Sequence, residues 1–227
     1  MTTPKVLISL LTDEDTKQTE FCNAFLELLF STKSVCPEFV NNFEPINVPV
    51  KSVEDALAYW PEYPFYWRRK HKIVSQGDVF HTGVYGSGAI LLRAKYDRSF
   101  DWLGLFRQLV LETKAHYAYL HLITDVERDR TLLNADDAYD FFLGAFTKTV
   151  EHGFKELAWA NYFGSRWDAE IDYAKLTKTW ARVESISDGR LVAVTENLGD
   201  VETDYSRFEA VRQRAKESFR TGFFRPT

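Results

Sequence analysis

The sequence predicts an α+β fold, with a mixed, largely antiparallel sheet packed against several amphipathic helices. Three observations predict it. Short apolar, β-rich runs interleave with longer segments of 3.6-residue periodicity, without a strict repeat. Several strand runs are joined by hairpin-length turns, the clearest being Ser187-Asp188-Gly189 between Trp180–Ile186 and Arg190–Glu196. The composition, 45% hydrophobic and 27% charged over 227 residues, is that of an ordinary globular chain. The length fits a single α+β domain over 1–227, with 1–62 as a candidate N-terminal subdomain.

The elements follow in order. Lys5–Leu11 (KVLISLL) is short and apolar, which suits a buried strand. Asp13, Glu14 and Asp15 are expected to load the first turn of a helix that carries Phe21, Phe25, Leu28 and Leu29 on one face to about Ser31. Pro37, Pro45 and Pro49 break the next stretch into loop, with one short strand at Ile46–Val50. Ser52 caps a short helix through Tyr59. Phe65–Ser75 and Val79–Tyr85 read as strands, and glycines 83, 86 and 88 turn the chain into a strand at Ala89–Tyr96. Asp101–Lys114 is an amphipathic helix and Tyr117–Thr124 a strand. Ala135–Glu151 reads as a helix with Asn134 as N-cap, Gly153 past its end and Tyr139, Phe142, Phe146 and Val150 inward. Leu157–Phe163 is a buried strand, the 180–196 hairpin follows, and Asp204–Phe219 closes the chain as a helix facing Phe208, Val211 and Ala215 inward.

Charge narrows the function classes. The net charge is −5, and the acid is concentrated: residues 1–62 hold 4 basic and 10 acidic groups, and 114–172 hold 6 and 11. Nucleic-acid binding needs a positive footprint to displace phosphate counterions, and the total argues against it. No window approaches the roughly 18 apolar residues of a membrane span, and residues 1–15 lack the features of an export signal. Cys22 and Cys36 are expected as reduced core thiols, since two cysteines make no disulfide framework. The expectation is a cytoplasmic protein without membrane contact.

The motifs of catalysis are not found. The five histidines form no zinc-ligand spacing, and His116 and His121 lie an odd number of residues apart on a strand, so they face opposite sides. Gly83-Val84-Tyr85-Gly86-Ser87-Gly88 runs into a strand rather than a helix, which fits a tight turn and not a phosphate cradle. Asp168, Glu170 and Asp172 alternate, as do Asp200, Glu202 and Asp204. On extended chain each trio would share one side, able to meet a basic surface or a hard cation, or simply to be solvated. The densest feature is Tyr59–Trp67, six aromatics in nine residues, followed by Arg68-Arg69-Lys70. It reads as a core strand, as an interface hot spot, or as a stacking platform for single-stranded nucleic acid, the last disfavoured by the charge.

Three segments carry a family resemblance: Tyr117-Ala118-Tyr119-Leu120-His121, the run Leu157-Ala158-Trp159-Ala160-Asn161-Tyr162-Phe163-Gly164 and its preceding helix, and Asp188-Gly189-Arg190-Leu191 before the last helix. Over roughly residues 90–220 this layout resembles immunity proteins of bacterial polymorphic-toxin and type VI secretion systems, nearest the immunity protein 52 group. The resemblance implies a cytoplasmic protein that binds a cognate effector toxin and blocks its active site. It implies neither catalysis nor a cofactor or metal. Such families carry no transferable catalytic positions, so the partner-binding residues rest on the surface reading: Tyr63, Tyr66, Trp67, Arg68 and Trp167 as anchors and neighbours, with Asp168, Glu170 and Asp172 steering a basic toxin face. The rival readings are a small hydrolase or transferase with a pocket lined by His81, His121 or shifted carboxylates, and a self-associating interaction domain.

Overall fold

The computed structural model describes residues 3–60, 64–81, 88–127, 154 and 156–224. The chain packs as two compact units, Lys5–Ala118, and Tyr119–Thr227 together with Met1–Pro4. The division falls inside a strand.

The first unit is built on strands in the order β3-β2-β4-β5-β6-β1. In chain order these are β1 (Lys5–Thr12), β2 (Phe39–Asn41), β3 (Val48–Pro49), β4 (Phe65–Arg69), β5 (Ser75–Phe80) and β6 (Gly88–Lys95). Each adjacent pair is antiparallel. Helices α1 (Thr19–Ser31), α2 (Val53–Leu57) and α3 (Trp102–Glu112) accompany them. Buried Phe21, Phe25, Leu26 and Leu29 form the inward stripe of α1, and Phe25 meets the indole of Trp67 on β4 edge-on at 5.6 Å.

Local chemistry sets the boundaries. Ser52 caps α2 in a reciprocal box, its hydroxyl accepting from the Asp55 amide while the Asp55 carboxylate accepts from the Ser52 amide. The Asp101 carboxylate caps α3 by accepting from the Gly104 amide. The acidic run 13–15 lies before α1 rather than in its first turn. Thr12 Oγ1 accepts from the Glu14 amide and Asp15 Oδ1 from the Lys17 amide, each at 3.0 Å, and these side-chain turns outcompete helix there. The aromatic region differs too: the predicted 65–75 strand ends at Arg69, and β5 begins at Ser75 after a turn with Lys72 at positive φ.

The second unit starts within β7 (Ala115–Ile123) and has the strand order β7-β8-β10-β9, with β8 (Ala160–Phe163), β9 (Arg182–Ile186) and β10 (Gly189–Ala193). β8 and β9 flank β10 antiparallel. The predicted hairpin is present, turning at Ser187-Asp188. Gly189 is required by packing, since a side chain there would overlap the Phe163 carbonyl on β8. β8 is shorter than the predicted 157–163 strand because the Asn161 carboxamide bonds both the amide and the carbonyl of Ala158. Among the described residues of this unit the α-helices are α4 (Tyr173–Leu176), α5 (Asp200–Thr203) and α6 (Tyr205–Lys216). Asp204 caps α6 through the Arg207 amide. The predicted 135–151 helix, its Asn134 cap and Gly153 lie outside the described residues, as do Gly83 and Gly86. The fold is α+β and largely antiparallel. Among the described residues no helix is long and apolar enough to cross a membrane.

Candidate functional site

The aromatic run of the first unit is mostly core. Trp60, Phe65 and Trp67 are fully buried. Trp60 packs at a tilt against Phe65, ring centroids 4.7 Å apart, and donates from Nε1 to the Thr16 carbonyl at 2.7 Å. Trp67 is therefore not an interface anchor. The period-2 geometry of β4 sends Phe65 and Trp67 to one face and Tyr66 and Arg68 to the other. Tyr66 is half-buried, edge-on to Phe80 at 6.3 Å, and its β5 neighbour is Asp78. Arg68 is exposed. Arg69 turns inward, donating from Nη1 to the Cys36 carbonyl at 2.7 Å, and Lys70 lies over the Phe39 ring at 4.4 Å. Tyr63 lies outside the described residues.

Asp78 is the unusual titrating group of this unit. It is 4% exposed and pairs with Arg93 at 3.6 Å. Burial pushes its carboxyl up to about 6 against the opposing charge of Arg93. Neither thiol is in a disulfide: burial pushes Cys22 up to about 12 and raises Cys36, which disfavours the reactive thiolate form. His81 is tied to Thr16, whose hydroxyl lies 3.0 Å from Nδ1.

In the second unit Trp167, Asp168, Glu170 and Asp172 come together, but not as an alternating acidic edge. Ser165–Glu170 is a 3₁₀ turn, so period-2 reasoning fails here. Trp167 is half-buried and T-shaped against Phe154 at 5.4 Å and Phe223 at 5.9 Å. Glu170 accepts from Arg220 Nε at 2.6 Å, and Asp172 caps α4 by accepting from the Lys175 amide at 2.9 Å. Asp168 remains exposed, and its charge adds to burial in raising the Tyr173 hydroxyl. Asp200 and Glu202 are likewise on helix α5 rather than extended chain. Two of the three steering acids thus hold the unit together. Next to them, Asp188 in the hairpin turn accepts from Tyr162 at 2.7 Å and Ser165 at 2.8 Å, clasping the turn to the end of β8.

Sequence reasoning missed a buried charged network in this unit. His121 on β7 accepts at Nδ1 from the Trp159 amide at 2.9 Å, which leaves its proton on Nε2, 3.5 Å from Glu127. Glu127 lies 2.9 Å from Arg212 Nη2, and Arg212 also donates to Glu209 at 2.9 Å through Nε and to the Tyr205 hydroxyl at 3.1 Å. Burial pushes the Glu127 carboxyl up, but the hydrogen bond from His121 and the neighbouring Arg212 guanidinium outweigh it and hold the carboxyl far below the usual range. The Arg212 guanidinium stacks over Phe208 at 4.7 Å. One signal was legible: Arg212 stands beside Phe208, Val211 and Ala215 on the apolar stripe of α6, where an unpaired cation would be too costly.

The remaining surface feature is Trp180, which ends the 3₁₀ turn Thr177–Thr179 and leads into β9. It is 72% exposed, and the Arg214 guanidinium of α6 lies over its ring at 5.0 Å. Among the described residues no group of three or more His, Cys, Asp or Glu side chains is placed to hold a metal.

No protein-family model and no curated protein sequence matches this chain. Its fold is similar to that of a solved structure, a Pseudomonas aeruginosa T6SS protein, with a TM-score of 0.60 and 12% sequence identity, covering 95% of this chain and 76% of the other.

Proposed function

We propose that the protein is an immunity-type binding protein, which captures a cognate effector toxin in the cytoplasm and occludes its active site without catalysis, cofactor or metal. The observation that carries this reading is the fold likeness over 95% of the chain to a protein named for type VI secretion. It coincides with the family resemblance of the Leu157–Gly164 and Asp188–Leu191 segments. The raised Cys22 thiol and the engagement of His81 and His121 in hydrogen bonds also favour a binding role.

Co-expression with the protein encoded immediately upstream tests the proposal. Stoichiometric co-purification together with rescue of growth is expected. Failure of both, with the two proteins folded, overturns it.

A hydrolase or transferase reading has one observation in its favour, the Asp78 carboxyl held near neutrality. It is tested by screening the isolated protein and Asp78→Asn for turnover of model esters and phosphodiesters.

A further inference from the structure

Trp180 has φ 72° and ψ 1°, in the left-handed region, at the C-cap of the 3₁₀ turn. Glycine is the residue that occupies such a position without strain, because a Cβ crowds the carbonyl there. The chain instead places its bulkiest side chain at this point. Burial does not offset the strain, since Trp180 is the most exposed large hydrophobic among the described residues, at 72%. The Arg214 guanidinium lies over the ring at 5.0 Å and favours this orientation. Strain kept at a surface position, with an aromatic held out to solvent, points to recognition.

The surroundings define what is recognised. Trp180 opens onto β9, which ends the strand order, and among the described residues β10 is its one strand neighbour. The backbone groups of alternate β9 residues therefore face outward, in position to pair with another extended chain. Arg214 lies over the indole, Lys178 and Arg182 flank it two residues away along the chain, and Arg207 stands further along the same helix as Arg214; all four are exposed. Arg182 is shared with Glu184 at 3.4 Å, while the other three have no ion pair among the described residues. Arg207 and Arg214 lie two turns apart on one face of α6.

We infer that the outer edge of β9 and Trp180 form a docking strip for an extended acidic segment of a partner protein. The segment adds as a strand beside β9, lays an apolar side chain on the indole and turns its carboxylates to Lys178, Arg207 and Arg214. The strip is basic, the opposite polarity to steering by Asp168, Glu170 and Asp172. A protein strand fits better than nucleic acid, because the edge offers backbone pairing and a single indole already stacked by arginine, not a row of open ring faces. The assignment of the segment to the effector rests on the function proposed above; the strip itself does not.

The test titrates the full-length, isotope-labelled protein with a short peptide of alternating Val and Glu, with its Lys-for-Glu counterpart, and with oligothymidylate. The Glu peptide is expected to bind and to shift the Trp180 indole and the Val183 and Ser185 amides. Its affinity should fall by about tenfold or more in Trp180→Gly and in Arg214→Glu, and should weaken with salt. Trp180→Gly suits the left-handed backbone, so its fold should survive, as a thermal melt would verify. No shift at millimolar peptide, equal binding of the Lys peptide or the oligonucleotide, indifference to both variants, or Trp180-dependent self-association overturns the strip. With the upstream-encoded protein as ligand, rescue and affinity unchanged in both variants overturn the strip and leave the immunity function standing. Loss of capture by the native protein overturns the immunity function, and the peptide titration then decides the strip alone.

Discussion

The indole of Trp67 lies over the α-carbon of Gly77, its cross-strand partner on β5, so closely that a methyl group at residue 77 would overlap the ring. An aromatic this size is buried in mid-sheet because its neighbour has no side chain. Gly77→Ala is therefore expected to destabilise the protein by about 1–3 kcal/mol, through displacement of a core tryptophan. Urea unfolding followed by tryptophan fluorescence checks this, and an unchanged midpoint would refute it.

Arg212 and Glu127 neutralise each other in the interior of the second unit at 2.9 Å. Arg212→Met leaves a buried carboxylate without its principal cation and should cost roughly 3–5 kcal/mol. Adding Glu127→Gln should recover most of that loss. The double-variant cycle reads the coupling directly, and strictly additive losses would show that the pair is not coupled.

Asp78 and Glu127 oppose each other in their effect on stability. The Asp78 carboxyl rises from 3.8 to about 6 on folding, so the folded state binds the extra proton. Its favourable contribution is present in full below pH 4 and is lost as pH rises through 6. Glu127 is depressed below 4.5, so its contribution is present above that pH and is lost on acidification. Asp78→Asn should flatten the stability profile between pH 4 and 6 and raise stability at pH 7 by about 2 kcal/mol. Chemical denaturation across that range is the measurement. A profile of unchanged slope would count against the carboxyl as its source.

Trp180→Gly should preserve or raise the melting temperature. Relief of the left-handed backbone contributes on the order of 1 kcal/mol, and the lost stacking on Arg214 takes back about half of that. Trp180→Ala removes the same stacking without the glycine's freedom and should melt lower than Trp180→Gly. The reverse order would mean that φ 72° at this residue carries no strain.

The strands and helices that could be read from sequence were those whose signal is local. The 3.6-residue stripe of α1 and α3, the Ser52 cap and the Ser187-Asp188 turn all act over a few residues. The short β2 was not legible, because it is a strand only through pairing with β3 and β4. The acidic trio at 168–172 misled because alternation has meaning only on extended chain, whereas Asp172 is a helix cap and Glu170 belongs to Arg220. Trp67 and Trp180 are alike in composition terms and opposite in role. What separates them is a glycine across the sheet in one case and a positive φ in the other, and both depend on the folded chain. The His121–Glu127–Arg212 network joins residues far apart in sequence, so only its arginine, placed on an apolar stripe, gave a sign.

The pairing of β1 with β6 also sets a clock. Residues 5–12 leave the ribosome well before their partners, residues 88–95, with which they pair from Lys5↔Lys95 to Thr12↔Gly88. At about 5–20 residues per second, the nascent chain carries this apolar segment without its partner for roughly 4–15 s. A seven-residue run destined for burial thus needs shielding during synthesis. Yield of folded protein should then depend on translation rate and on chaperone supply more than on the stability of the finished molecule.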